Sequence, residues 1–212
     1  MANNNGKLSW KQRRLLILLG LPAFGISLAY TAATTYLPVI LSQLSGPALT
    51  GMLIGAEGIF ALFVPIIVGQ WSDSLRTRLG GRMPFILAGT ALAVPALVVM
   101  PFSRGSLVIL AIALAAFFIA YFVYYTPYYA LFPDLISGGI RGRSQGIQGA
   151  FRSGGMLAML VGGGLLLDLW QPLPFLAGAA TIVGVTALFF FGARDRIGWK
   201  EGSGSTNVVE LP

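Results

Sequence analysis

Six long apolar runs constrain the fold of this chain more than any other feature of its sequence. A helix needs about 20 apolar residues to cross about 30 Å of hydrocarbon. The runs are close to this length and lie at residues 15–38, 49–71, 85–102, 107–131, 146–169 and 173–193. Because a helix satisfies its own backbone hydrogen bonds inside lipid, the sequence predicts an all-α polytopic membrane bundle of six transmembrane helices.

Polar segments flank the predicted bundle at both ends. We expect residues 1–14 to form a cytoplasmic N-terminal segment, 15–193 the transmembrane domain, and 194–212 a cytoplasmic polar tail or the start of a linker. The first apolar run could also be read as a signal peptide. It is longer than the apolar region of such a peptide, about 7–15 residues, which favours a retained first helix.

Basic residues accumulate at alternate ends of the predicted spans. They precede span one and follow spans two, four and six, whereas the opposite loops contain only Arg104. Because Lys and Arg accumulate in cytoplasmic loops, we expect an integral protein of the plasma (cytoplasmic) membrane with both termini cytoplasmic. This topology and contact with anionic lipid explain the net charge of +7. The bilayer is therefore an expected partner, and nucleic acid is not.

The residue inventory argues against several kinds of chemistry. The chain has no Cys and no His, the usual sources of thiolate and imidazole ligands and of the general base of a hydrolase triad. It has no phosphate-binding G-x-x-x-x-G-K-[ST] loop. The G-x-S-x-G string at residues 142–146 opens a membrane helix instead of following a strand. We expect no enzyme activity, no catalytic residue, no metal and no cofactor.

Charge is concentrated in one short stretch, GQWSDSLRTRLGGRMPF, at residues 69–85. A carboxylate at a helix end can pair with arginines a few residues later, and such pairs must break if the helices move apart. A solvated topological loop would explain the arginines but not the spacing of the glycines. The candidate gating residues are Gly69, Asp73, Arg76, Arg78, Gly80 and Arg82.

This stretch resembles the signature loop of the major facilitator superfamily, in which G-x-x-x-D is followed by a Gly-Arg pair between spans two and three. The longer R-x-R-x-G-x-R-x-P-F pattern is similar to that of the sucrose-proton symporters and the related glycoside-pentoside-hexuronide symporters. Three further stretches agree with it: GAEGIFALFVPIIVGQWSD, TPYYALFPDL and RGRSQGIQGAFRSGG. The resemblance implies a secondary transporter that moves a small polar solute, such as a sugar or glycoside, by alternating access with proton coupling.

The resemblance covers the first six-helix half of a twelve-helix family. It implies either a truncated half that acts with a second six-helix half, or a homodimer, which parallel repeats about a membrane-normal axis permit. Phe118 and Tyr129 stand where the fourth span of sucrose-type symporters carries Asp and Arg. Sucrose specificity and that coupling chemistry are therefore not carried over, and a non-transporting membrane scaffold is the alternative function.

The resemblance also implies two inverted three-helix repeats within the bundle. A shift of 95 residues superposes several residues of the two repeats: Tyr30 on Tyr125, Thr31 on Thr126, Asp73 on Asp168, and Glu57 on Arg152. Glu57 and Arg152 lie about 10 Å inside their predicted spans, where ionisable groups are costly and usually functional. Snorkelling of Arg152 to the interface and structural pairing of Glu57 are the alternatives.

Other polar residues recur at helical spacing in spans one, four and five. We include them in the candidate substrate or ion pathway, whose members are Glu57, Arg152, Thr31, Thr34, Tyr121, Tyr125 and Gln148. Their hydroxyl and amide groups could bind a polyhydroxylated solute, and the rings of Tyr121 and Tyr125 could stack on a sugar. Hydrogen bonds between helices and an interfacial aromatic belt, which suits Tyr128 and Tyr129, are the alternatives.

Overall fold

The computed structural model describes residues 10–75, 77, 79, 81–103, 105–135 and 141–194, and these residues form seven helices. The helices are α1 Trp10–Leu44, α2 Pro47–Gly55, α3 Glu57–Ser74, α4 Met83–Phe102, α5 Leu107–Leu135, α6 Arg141–Leu169 and α7 Leu173–Arg194.

Within these residues, six helical spans are long and apolar enough to cross a membrane. Helices α2 and α3 form one of them, Pro47–Ser74, because the chain continues in helical conformation through Ala56. Beside Ala56 the helix tightens, and the Ile59 amide donates to the Ala56 carbonyl at 3.0 Å. For the described residues, the prediction of an all-α structure with six helical spans of membrane-crossing length and composition is confirmed.

Helix α1 is the most enclosed span, with 67% of its most apolar window buried. It packs against α6 and α7 through small residues. An added Cβ on Gly178 of α7 would lie 3.2 Å from the Cα of Ala29, and one on Gly155 of α6 would overlap the Phe24 carbonyl oxygen. Small residues at these positions allow the helix backbones to approach closely.

The contacts along these helices fix their relative directions. Ser27 donates to the Arg152 carbonyl and Tyr36 to the Met159 carbonyl, so the numbering of α1 and α6 increases in the same direction. Along α7 it runs the other way, since Gly25 faces Val185 and Gly178 faces Ala29. Spans one and five therefore cross in one direction and span six in the other, as alternating crossings require.

Helix α5 packs against α4 and α3 on the other side of the bundle. In the contact between α4 and α5, Gly89 of α4 lies against the Tyr124 backbone of α5. Helix α3 runs parallel to α5, with Phe60 beside Phe118 and Gly69 beside Thr126. Two groups of three spans result, one around α1 and one around α5. They meet where α1 contacts α5 and where α4 contacts α7.

Substitution of Gly89 tests the α4–α5 contact. An added Cβ would lie 2.7 Å from the Tyr124 amide nitrogen, so we expect Gly89→Ala to cost about 1–3 kcal/mol through overpacking. The matched control is Gly184→Ala on α7, where an added Cβ meets nothing within 4 Å. Thermal unfolding in detergent should give a lower midpoint for Gly89→Ala and an unchanged or higher one for Gly184→Ala. Equal midpoints would contradict the described packing.

Candidate functional site

Glu57, the predicted carboxylate of span two, is bound by a tyrosine of span one. The Tyr30 hydroxyl lies 2.9 and 2.8 Å from the two carboxylate oxygens, so its single proton is shared between them. Glu57 lies where α2 continues into α3, inside the helical span Pro47–Ser74. The carboxylate is thus held at the junction of α1 and α3.

Four tyrosines continue from Glu57 across the face of α5. We call them the tyrosine row: Tyr30, Tyr121, Tyr125 and Tyr129. Successive ring centroids in the row are 4.7, 5.4 and 4.0 Å apart. Because neighbouring rings cover one another, the row presents ring edges and hydroxyl groups instead of free ring faces.

Arg152 of α6 lies at the other end of the tyrosine row. Its guanidinium interacts electrostatically with Tyr129, Tyr125 and Tyr121, and its side chain is exposed. The backbone beneath it is fixed, because the Ser27 hydroxyl is 2.8 Å from the Arg152 carbonyl oxygen. Among the described residues, no ion pair joins Arg152 to Glu57. The tyrosine row therefore separates the two charges.

Both charges lie near the middle of their spans. Glu57 is ten residues from Pro47, or about 15 Å along the helix, and Arg152 is eleven residues from Arg141, or about 17 Å. The side chain of Arg152 is exposed at this point of α6. Such a site has a carboxylate that accepts hydrogen bonds, and a guanidinium that can donate them to hydroxyl or anionic groups of a solute.

Three predicted pathway residues are directed elsewhere. Thr31 is buried and donates to the Ser27 carbonyl, and Thr34 donates to the Tyr30 carbonyl, so both hydroxyls bond within α1. Gln148 is 5% exposed and interacts with Tyr128. The interpretation of span one as a polar stripe facing the bundle interior agrees with this burial. The Ser27 hydroxyl hydrogen-bonds α1 to α6, and such bonds between helices were the alternative to solute binding for these polar groups.

The aromatic residues of α5 also differ from expectation. Tyr121 is 8% exposed, with the Tyr30 ring tilted against it at 4.7 Å and the Tyr125 ring stacked at 5.4 Å, so its ring is largely covered by other tyrosines. Tyr128 is not part of an interfacial belt, because it is fully buried and donates to the Leu19 carbonyl at 2.5 Å. Tyr129 joins the tyrosine row. The packing of α1 against α5 is the reason that the Tyr121 ring and the Tyr128 side chain are both covered.

Sequence reasoning missed Tyr30 and Tyr129 as members of the site. A signal for Tyr30 was present, since the 95-residue shift superposes it on Tyr125, a predicted pathway residue. The same shift superposes Glu57 on Arg152. In the structure the Tyr30 hydroxyl donates to Glu57, whereas the leading tyrosine neighbour of Arg152 is Tyr129, followed by Tyr125.

The predicted gating loop forms an ion pair at its ends. Arg82, 17% exposed, contacts Asp73, 64% exposed, at 3.2 Å. An exposed pair of this kind contributes about 0–1 kcal/mol, which suits a contact that opens and closes. Gly69 of α3 faces Thr126. Arg76, Arg78 and Gly80 lie outside the described residues.

A separate groove of about 440 Å³ lies between α4 and α7. Its lining includes Val94, Pro95, Val183 and Phe190, and only threonine hydroxyls interrupt the apolar surface. Thr186 uses its hydroxyl for contacts with Thr90 and Tyr124, each at 3.3 Å. This groove lies away from Glu57 and Arg152, and its lining suits lipid chains.

Comparison of the chain with protein families gave no matching family, and comparison with curated proteins gave no match either. The site is therefore interpreted from its own residues. They are a carboxylate and a guanidinium at mid-membrane depth, linked by phenol rings.

A double-mutant cycle tests the bond between Tyr30 and Glu57. Tyr30→Phe removes the donor of this hydrogen bond and Glu57→Gln removes the negative charge of its acceptor, so each removes the charge assistance, and the charge-assisted bond is worth about 1–3 kcal/mol. We expect the second substitution to add little to the first, so the coupling energy should be of that size. The measurement is the unfolding free energy from denaturant titration in detergent. Tyr36→Phe should be additive with Glu57→Gln, because Tyr36 donates to the Met159 carbonyl. Additivity in both cycles would contradict the bond.

Two glycines of the loop region should respond differently to alanine. An added Cβ on Gly81 would lie 2.6 Å from the carbonyl oxygens of Ser72 and Leu75, which are backbone atoms that cannot rotate away. On Gly69 it would lie an ordinary 3.8 Å from Thr126. We expect Gly81→Ala to lower the thermal midpoint and Gly69→Ala to leave it nearly unchanged. The reverse order would contradict the close approach of Gly81 to the carbonyls of Ser72 and Leu75.

Proposed function

We propose that this chain is a secondary transporter of the major-facilitator type, corresponding to one six-helix half. It moves a small polar solute, such as a sugar or glycoside, by alternating access coupled to protons. It lies in the plasma membrane with both termini cytoplasmic. The observation that carries the proposal is the placement of Glu57 and Arg152 at mid-membrane depth, linked by the tyrosine row.

The helix packing supports the implied pair of inverted repeats. An inverted repeat exchanges span one with four, two with five, and three with six. Spans one and five are α1 and α6, and spans four and two are α5 and α3. The observed pairing of α1 with α6 therefore corresponds to the observed pairing of α5 with α3. The same exchange converts the pairing of α1 with α7 into that of α5 with α4, and α4 with α7 into itself. The sequence shift that superposes Glu57 on Arg152 also superposes Tyr30 on Tyr125. Transporters built on such repeats place their solute site near the bilayer midplane.

Each group has a role in this proposal. Glu57 carries the coupled proton, because a carboxylate in a low-dielectric site changes charge more readily than an arginine. Arg152 and the hydroxyls of Tyr125 and Tyr129 bind the solute through donors and acceptors. The pair of Asp73 with Arg82 joins the ends of α3 and α4 in one access state and separates in the other.

A non-transporting scaffold is the second candidate. It is favoured by the fourth span, where Phe118 is fully buried against Phe60 and Phe117 in place of an ionisable group. A scaffold would need neither charge at the centre of the membrane. Retention of both Glu57 and Arg152 favours transport, because each is costly to keep at that depth.

Uptake into proteoliposomes tests whether the chain is a transporter or a scaffold. The probes are radiolabelled sucrose, glucose and a glucuronide. For each probe, accumulation is measured with an imposed proton gradient, and exchange of labelled for unlabelled solute is measured without a gradient. We expect Glu57→Gln to lose proton-driven accumulation while keeping exchange, because neutral Gln cannot carry the proton. Arg152→Gln should lose at least tenfold in both. The control is Asp168→Asn, an exposed acid near the end of α6, which should keep both.

The outcomes separate the two candidate functions. Retained gradient-driven uptake in both Glu57→Gln and Arg152→Gln would exclude the proposed roles. If the unaltered chain is folded in the proteoliposomes but shows neither uptake nor exchange, the result would favour the scaffold.

A further inference from the structure

The groove between α4 and α7 opens on the outer surface of the bundle. On its α4 wall Ala91 and Pro95 are exposed, and on its α7 wall Val183 and Phe191 are exposed. Its volume of about 440 Å³ lies in the range of small-molecule sites, about 300–1,000 Å³. Since both helices are long and apolar enough to cross a membrane, the groove is reached from the hydrocarbon of the bilayer. It can therefore hold part of a lipid.

One backbone carbonyl on the α4 wall lacks its helical donor. In an α-helix a carbonyl accepts from the amide four residues later, and for Ala91 that residue is Pro95. Proline has no amide hydrogen, so it cannot donate to the Ala91 carbonyl. A helical carbonyl points along the axis toward its donor residue. Because Ala91 and Pro95 both line the groove, this carbonyl lies on the groove side of α4.

The Ala91 carbonyl lies near the middle of its span. Ala91 is eight residues from Met83, or about 12 Å along the helix, and eleven residues from Phe102, or about 17 Å. Water and lipid headgroups are concentrated at the two surfaces of the bilayer. A backbone polar group without a partner is costly in the hydrocarbon between them. A donor at this depth must therefore come from the protein or from a ligand within the membrane.

The hydroxyl groups beside the groove already have partners. Thr90 donates to the Ile86 carbonyl at 2.9 Å. The Thr186 hydroxyl lies 3.3 Å from that of Thr90 and 3.3 Å from that of Tyr124. Since the Thr90 proton is used on Ile86, Thr186 donates to Thr90, and Tyr124 donates to Thr186. All three protons are thus used within the protein, and none is left for the Ala91 carbonyl.

A lipid chain with a hydroxyl group midway along it fits both parts of this groove. The carbonyl oxygen carries a partial negative charge, so its complement is an O–H or N–H donor. An unsubstituted acyl chain would pack on the apolar lining but has no such donor. The headgroup of the same lipid lies at the bilayer surface, about 12 Å from Ala91 at its nearest. A hydroxyl group on the chain itself reaches the carbonyl while the rest of the chain stays on the apolar lining.

We propose that the groove between α4 and α7 is a binding site for a hydroxylated lipid chain, whose hydroxyl group donates to the Ala91 carbonyl. Val94, Pro95 and Val183 pack on the chain. The proposal goes beyond the transport function proposed above and does not depend on it, because the groove lies away from the transport site. Its tests contain no transport measurement, so its failure and the failure of that function are distinguishable.

Competition between phospholipids tests the hydrogen bond. The probe is ricinoleoyl phosphatidylcholine, whose chains carry a hydroxyl group near their middle. The reference lipids are oleoyl phosphatidylcholine, which lacks the hydroxyl group, and the O-methyl ether of the probe, which keeps the oxygen but lacks the donor. Native mass spectrometry of the delipidated chain in detergent gives the apparent affinity for each lipid. One hydrogen bond should favour the probe by about three- to tenfold. Equal affinity for the three lipids would overturn the proposal.

Replacement of Pro95 tests which carbonyl accepts the bond. Pro95→Ala restores an amide that donates to the Ala91 carbonyl inside α4, so the preference for the probe should disappear. The matched control is Pro65→Ala, which restores an amide in α3, away from the groove, and should keep the preference. The ratio of affinities is the readout, because a straightened helix would change the packing of all three lipids alike. A preference retained in Pro95→Ala, or lost equally in Pro65→Ala, would overturn the proposal.

Filling the groove tests its location. Val183→Phe places a ring among the lining residues, so the chain no longer reaches the carbonyl and the preference for the probe should disappear. Leu188→Phe adds a ring at an exposed position of α7 outside the groove lining and should keep the preference. If these two variants behave alike, the hydroxylated chain binds elsewhere and the proposal is wrong.

Discussion

The absence of water inside a bilayer is the constraint on which the arrangement of this protein depends. Glu57 and Arg152 stand near the middle of their spans, so their hydrogen bonds must come from protein groups or from an enclosed polar space. Tyr30 supplies a phenol to the carboxylate, and Tyr129 lies beside the guanidinium. Because these tyrosines belong to α1 and α5, the two helices must lie side by side between α3 and α6.

The packing of α1 follows from this requirement. Two polar contacts tie it to α6, from Ser27 to the Arg152 carbonyl and from Tyr36 to the Met159 carbonyl, and glycines allow the close approach. The backbone of the charged residue is thereby held while its side chain stays exposed. A rigid support under an accessible group is the arrangement that a binding site needs.

Hydropathy was sufficient to predict six spans, because the length and composition of each run are set by bilayer thickness. The pairing of Asp73 with Arg82 could also be anticipated from charge and spacing. The environments of Thr31, Tyr121 and Tyr128 could not. Helical period tells which residues share a face, but not which neighbour that face meets, and for these three the contacts of α1 with α5 decide. The internal shift that paired Tyr30 with Tyr125 carried more of this information than the polarity of single residues.

The hydrogen bonds between α1 and α6 end on main-chain carbonyls of α6. A carbonyl is present whatever side chain the residue carries, so this junction places little restriction on the exposed side chain at position 152, whereas Met159 is buried in the core. Over evolutionary time the exposed group at position 152 could therefore change without loss of the helix pairing. The same framework could then serve solutes of different charge, and laboratory selection for a new solute should begin at that position.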